Sequence, residues 1–318
     1  MIKYLHLENQ KLKKTETETE ETVWFCVEHP TKEEIEHLIE KFDLPADYIT
    51  SVLDDAENSR VEEFNQAKFE KPALLLLQYP FAKKSPSGYF QIDIYPFSII
   101  VTPKKKLITI GNHEPQFLKK VFDHSFIQTD ISPQLNILFQ LTWYITISYN
   151  EYLVTLKERC DRLESQLQVA TENSQLYQLM DIQKSLVYFD AATSANLHAL
   201  KKLTDNAHFQ EHDLLKNHLR DVIIETKQAS TISRIQLKLV EQMNETFSAI
   251  VSNNLNNIMK ILTSVTIVLT IPTIISGMYG MNTKLPIAER NDAFFLLGVL
   301  TIVLCAVTAY ILRKKNLL

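Results

Sequence analysis

The sequence predicts an α+β domain, a mixed sheet with flanking helices, followed by a very long stalk helix that runs on into a two-helix transmembrane hairpin. Three observations carry that expectation. Short strand-like runs alternate with turn signals over residues 1–125. From Gln134 to Ile271 there is no glycine or proline, which permits helices of unusual length. Residues 261–278 and 293–312 are apolar and uncharged, each close to the roughly 20 residues that span a bilayer core.

In chain order, the candidate strands are IKYLHL (2–7), TVWFCVE (22–28), RVEEF (60–64), ALLLLQYP (73–80), YFQIDIY (89–95), FSIIVTP (97–103) and KLITIGN (106–112). Residues 29–42 and 45–55 are expected to be helical, the first opened by Thr31 as cap with Glu34 completing a capping box. The low-complexity stretch TETETEET (15–22) is expected to be a solvated hairpin or loop; a divalent-ion sponge is the alternative. After Pro133, Leu138, Leu141, Ile145, Tyr149, Tyr152, Leu156, Cys160, Leu163 and Leu167 recur every three or four residues, as on one face of a helix. A second helix follows TENS (171–174), on Leu176, Leu179, Ile182, Leu186, Phe189, Leu197 and Leu200. From about residue 212 the pattern Ile232, Ile235, Leu239, Met243, Phe247, Ile250 passes into the first apolar run without a stop signal. A helix over 212–278 would be about 100 Å long, a stalk reaching the bilayer.

The resulting division is 1–130 for the α/β domain, 131–257 for the long helices and stalk, 258–281 for the first span, 282–292 for the connecting loop, 293–312 for the second span and 313–318 for a basic tail. Arg313, Lys314 and Lys315 follow the second span, whereas Lys284, Arg290, Glu289 and Asp292 cancel in the loop. Flanking basic charge stays inside, so both termini and about four fifths of the chain are expected in the cytoplasm, in a multi-pass protein of the cell membrane. The formal charge of −5, with no basic block ahead of the C-terminus, gives no sign of a nucleic-acid partner. Cys26, Cys160 and Cys305 have no metal-ligand spacing and fit a reducing compartment. No P-loop, GxSxG, HExxH or paired catalytic carboxylate frame is present, so neither an enzyme nor a catalytic cofactor is expected. His208, His212 and His218, with Glu211 among them, could hold a transition metal, but such polar histidines are more often solvated.

Inside the first span, Asn256, Met259, Thr263, Thr266, Thr270, Thr273 and Gly277 recur at alternating steps of three and four, which aligns them on one seam. Polar groups in lipid face a helix neighbour or water. The seam is therefore either helix–helix glue or one wall of a pore built from several copies. Neither span holds a carboxylate, so an ion path here would have to hydrogen-bond a hydrated ion through neutral oxygens. Pro272 removes one backbone bond within the run and can bend it.

The stretch YGMN (Tyr279 to Asn282), ending the first of two C-terminal spans after a long helix and before a basic tail, resembles the signature of the CorA family of magnesium transporters. The resemblance covers the whole architecture and shows again at VLDDAENSRVEEF (52–64). It implies a homopentameric funnel in the lipid bilayer that passes divalent cations, with Mg²⁺ as transported ion and as regulatory ligand. It further implies an outer selectivity site at Gly280, Met281 and Asn282, and a hydrophobic constriction at Leu262. By the same resemblance Asn256, Met259, Thr270 and Thr273 fall at pore-facing positions. Cytoplasmic Mg²⁺ sensing would involve Asp221, with Glu245 as a second candidate and Asp93 as the one residue offered from the α/β domain. A zinc transporter of the ZntB branch, or one for Co²⁺ or Ni²⁺ with proton coupling, shares this topology. A membrane-anchored coiled-coil scaffold or sensor would share the stalk and hairpin but would not need the threonine seam.

Overall fold

The computed structural model describes residues 1–65, 69–126, 131–167, 173–205, 209, 212–281, 286–287 and 292–317. The chain divides into two compact units, Met1–Asn244 and Glu245–Leu318.

In the first unit the period-two runs form one seven-stranded sheet. Its strands are β1 (Ile2–Glu8), β2 (Lys11–Thr15), β3 (Trp24–Glu28), β4 (Arg60–Glu62), β5 (Ala73–Lys84), β6 (Phe90–Val101) and β7 (Leu107–Gly111). The spatial order is β2-β1-β3-β7-β6-β5-β4, and only the β3–β7 pair is parallel. Alternate side chains go to opposite faces. Phe25, Val27, Leu74, Leu76, Ile108 and Ile110 bury against α1 (Lys32–Phe42) and α2 (Asp47–Thr50). Trp24, Cys26, Leu75, Leu77, Ile99 and Leu107 bury on the other face, in the same core as residues of α3 (Phe117–Phe122), α4 (Pro133–Leu167), α5 (Asn173–Leu203) and the beginning of α6 (Asp213–Tyr279). The expected capping box opens α1: the Glu34 N–H donates to Thr31 Oγ1 at 3.2 Å and the Thr31 N–H to Glu34 Oε2 at 2.9 Å. Residues 45–55 give only the short α2 and a 3₁₀ turn, Ser51–Leu53.

Three expectations change. Lys11–Thr15 forms β2, a strand the alternation search passes over because lysines dominate it. The two runs split at Pro96 are one strand, β6. Finally, α6 does not bury Ile235 and Leu239 in its own chain: both are more than half exposed, as is half of Ile224. The face that α6 buries in the first unit opens with Leu215 and Leu219 and continues through Val222, Thr226, Ala229, Ser233, Gln236 and Val240, mostly small or polar residues that allow close approach. Thr226 meets Thr146 of α4 at 3.1 Å, and Gln236 donates to the Leu153 carbonyl at 3.1 Å.

The second unit holds the rest of α6 and α7 (Ala293–Lys314). Among the described residues these are the two helices long and apolar enough to cross a membrane.

Candidate functional site

Asn256, Met259, Thr263, Thr266, Thr270, Thr273 and Gly277 are all exposed along α6, and Leu262 beside them is exposed as well. The covered side of the same stretch carries Ser264, which is buried, and Val268, Ile271 and Ile275, which are half-buried. Thr266, Thr270, Thr273 and Gly277 each lie two residues after one of these four, and two residues of α-helix turn through about 200°. The polar seam therefore faces away from the covered side. Among the described residues of the chain, none covers it.

Three of the hydroxyls on the seam share one arrangement. Thr266 Oγ1 donates to the Leu262 carbonyl at 2.8 Å, Thr270 Oγ1 to the Thr266 carbonyl at 2.7 Å and Thr273 Oγ1 to the Leu269 carbonyl at 3.0 Å. A hydroxyl has one proton and two lone pairs. With the proton held by the helix, the oxygen turns only acceptor capacity outward. Water bound to a cation directs its hydrogens outward, so a row of acceptors suits the outer surface of a hydrated ion.

At the C-terminal end of α6 the Gly280 N–H donates to the Ser276 carbonyl at 2.9 Å and the Met281 N–H to the Met278 carbonyl at 3.3 Å. Gly280 has no left-handed backbone; a Cβ there would lie 3.1 Å from the Ser276 carbonyl oxygen. Its lack of a side chain serves the close helix end rather than a reversed turn. Met281 is exposed. Tyr279 is half-buried and its hydroxyl donates to the Pro286 carbonyl at 3.1 Å, tying the far side of the loop to the helix end. Asn282 lies outside the described residues.

The carboxylates offered for sensing do not meet. Asp221 lines a cavity of about 540 Å³ in the first unit with His124, His218, Trp143 and Leu214. Burial, aided by the nearby His218, pushes the His124 imidazole below its ordinary value. Glu245 is exposed and lies more than six helical turns further along α6. Asp93 is already paired with Lys83. His208 and Glu211, from the histidine trio, lie outside the described residues, and among the described residues no group of three or more His, Cys, Asp or Glu side chains could hold a metal ion.

The family model described as CorA-like Mg²⁺ transporter protein matches residues 19–314. The chain belongs to the CorA family. It is a divalent-cation transporter of CorA type, a membrane protein and not an enzyme. A relative, the cobalt/magnesium transport protein CorA of Methanocaldococcus jannaschii, is 26% identical over 315 residues, covering 96% of this chain and 94% of its own. The solved structure of the complete CorA magnesium transporter from that organism superposes with a TM-score of 0.80 at 23% identity, over 100% of this chain and 99% of the other. The ZntB cytoplasmic domain from Vibrio parahaemolyticus superposes with a TM-score of 0.61 at 13% identity, over 80% of this chain and 98% of that one. At such identity the likeness is one of fold, so it does not separate the CorA and ZntB readings.

Sequence reasoning missed Ser264 and the Tyr279 hydroxyl. Ser264 was passed over because it falls between the seam positions. Its signal is that it is a hydroxyl residue off the polar seam, which in lipid needs a partner of its own.

Proposed function

We propose that five copies of this chain form a channel in the cytoplasmic membrane that conducts Mg²⁺ inward, with both termini in the cytoplasm. The first spans line the path through Asn256, Met259, Leu262, Thr263, Thr266, Thr270, Thr273 and Gly277, and the hydrated ion is selected at Gly280, Met281 and Asn282. The observation that carries this reading is the exposed seam of hydroxyls opposite the covered face of α6, with acceptor oxygens turned outward. Two spans per chain cannot enclose a path, so copies are required. The exposed Ile224, Ile235 and Leu239 on α6 support the same conclusion, as apolar surface that another copy would cover. The M. jannaschii relative is named for cobalt and magnesium, and both belong among the ions tested.

Flux into liposomes tests the reading, with Mg²⁺, Co²⁺ and Zn²⁺ run side by side for the wild type and Asn282→Ala. Mg²⁺ entry that is lost in the mutant is expected. No divalent flux under an imposed gradient would sink the channel. Zn²⁺ movement that follows a proton gradient would keep the architecture and replace the substrate.

Gating by cytoplasmic Mg²⁺ is part of the proposal. Asp221 and Glu245 are separated along one helix, so each would need carboxylates from a neighbouring copy to hold an ion. Mg²⁺ is expected to slow limited proteolysis of the wild type and not of Asp221→Ala; equal protection of both would remove Asp221 from the sensor.

A further inference from the structure

Two polar contacts join α7 and its C-terminal end to the covered face of α6. The first is made by Ser264, the one buried polar side chain among the described residues of Glu245–Leu318. Its hydroxyl donates to the Leu317 carbonyl at 2.7 Å. That carbonyl is presented by a defined helix end. Asn316 takes a left-handed φ of 55°, its N–H donates to the Arg313 carbonyl at 3.1 Å, and the Leu317 N–H donates to the Leu312 carbonyl at 3.1 Å. This is the Schellman pattern, which ends a helix and redirects the chain.

The second contact is independent of the first. Pro272 has no N–H, so the Val268 carbonyl one turn earlier lacks its helical donor. The Cys305 thiol of α7 donates to that carbonyl, with sulfur and oxygen 3.6 Å apart. An unsatisfied carbonyl in hydrocarbon costs several kcal/mol, so the thiol answers a need that the proline creates.

Ser264 and Val268 lie four residues apart, on one side of α6. The seam of Thr266 and Thr270 lies about 200° round from them. We infer that Ser264 and Cys305 are positioning residues that fix the rotation of α6 about its axis, and so fix where the threonine seam faces. The inference rests on the channel reading for its consequence. Rotation of α6 by one residue, about 100°, would carry Thr266 and Thr270 out of the path and bring apolar neighbours in.

The test uses the full-length protein in liposomes, with Cys26→Ala and Cys160→Ala throughout and Cys305→Ser to keep a donor. Single cysteines at Thr270 and Leu269 are then labelled with a water-soluble thiol reagent. With both ties present, the Thr270 site is expected to react about tenfold faster than the Leu269 site, since thiol reactivity follows exposure to water. With Ser264→Ala and Cys305→Val together, that contrast is expected to collapse to about twofold or less, and Mg²⁺ flux through protein with native Thr270 to fall about tenfold. Ser264→Thr with Cys305→Ser, which keeps both donors, should retain both. Ser264→Ala with Cys305→Ser, which retains only the donor at position 305, should give an intermediate contrast, and assembly size by chromatography identifies a variant that has failed to fold. Unchanged contrast and flux in the tie-free protein would overturn the inference and leave the channel standing. A Thr270 site closed to water in every background, together with no flux, would overturn the channel and the inference with it.

Discussion

Beyond Arg60, where β4 stops pairing with Leu76 of β5, the next outward-facing backbone groups of β5 belong to Gln78, and no strand lies beside them. Asn196 of α5 takes the strand's place: its oxygen accepts the Gln78 N–H at 2.9 Å and its amide donates to the Gln78 carbonyl at 2.8 Å. Tyr149 donates to the same carbonyl at 3.0 Å, so the carbonyl has a second partner and the N–H does not. Asn196→Ala should therefore orphan one buried donor and destabilise the protein by about 1–3 kcal/mol, read as a lower melting temperature in detergent. A melting temperature within error of the wild type would show that water or a shifted side chain replaces the amide. Cys26 makes a second residue-scale case. Burial pushes its thiol up to about 12. Above the ordinary thiol value the unfolded chain loses this proton while the folded chain keeps it, so stability falls as pH rises towards 12. The slope from this group is about 1.4 kcal/mol per pH unit. Cys26→Ala should flatten the alkaline side of the stability curve relative to wild type, and the native thiol should resist alkylation at pH 8. Labelling at the rate of a free thiol would contradict the burial.

At the scale of elements, the β1–β2 hairpin turns on Asn9 and Gln10, both at positive φ, 50° and 66°. Two successive left-handed residues make a type I′ turn, for which Asn-Gly is the preferred pair. Gln10→Gly should then raise stability by about 0.5–1 kcal/mol; a loss would mean that the Gln10 side chain makes a contact worth more than its backbone strain. Nothing in the alternation of Lys11–Thr15 announced this strand, because an edge strand rich in lysine has no apolar face to read. Pro96 misled for a different reason. Its partner in β5 is Gln78, whose backbone groups point to Asn196 and away from β6, so those of Pro96 point the other way, towards β7. There the ladder has already ended at the Phe97–Gly111 pair, and the missing N–H is not needed. The long helices were legible because no glycine or proline interrupts the chain from Gln134 to Ile271 and because bilayer thickness sets the length of an apolar run. Which face of α6 is buried was not fully legible in the first unit, since beyond Leu215 and Leu219 its most buried positions are Val222, Thr226, Ala229, Ser233, Gln236 and Val240, while Ile224, Ile235 and Leu239 are exposed. The threonine seam was legible as a seam, but not its opposition to the α7-contacting face, which depends on Ser264 and Cys305.

For the whole molecule the decisive question is what drives the ion. A divalent cation gains about 4.6 kcal/mol per 100 mV on entering a negative interior, twice the single-charge value, which corresponds to an equilibrium accumulation of more than about a thousandfold. The apolar run of α6 and that of α7 carry no Asp, Glu, His, Lys or Arg that could relay a proton across the span. A proton-coupled cycle would thus lack an intramembrane carboxylate or histidine on which to run, whereas diffusion through neutral acceptors requires none. Liposomes holding equal Mg²⁺ inside and outside separate the two. A potassium-diffusion potential, negative inside, should draw Mg²⁺ in; reversing its sign should drive Mg²⁺ out; and collapsing the proton gradient with a protonophore, at fixed potential, should change neither rate. If the protonophore abolishes uptake while the imposed potential leaves it unaltered, the ion is being moved by exchange. The coupling residue would then have to be sought in the stalk or the loop, since neither apolar run supplies one.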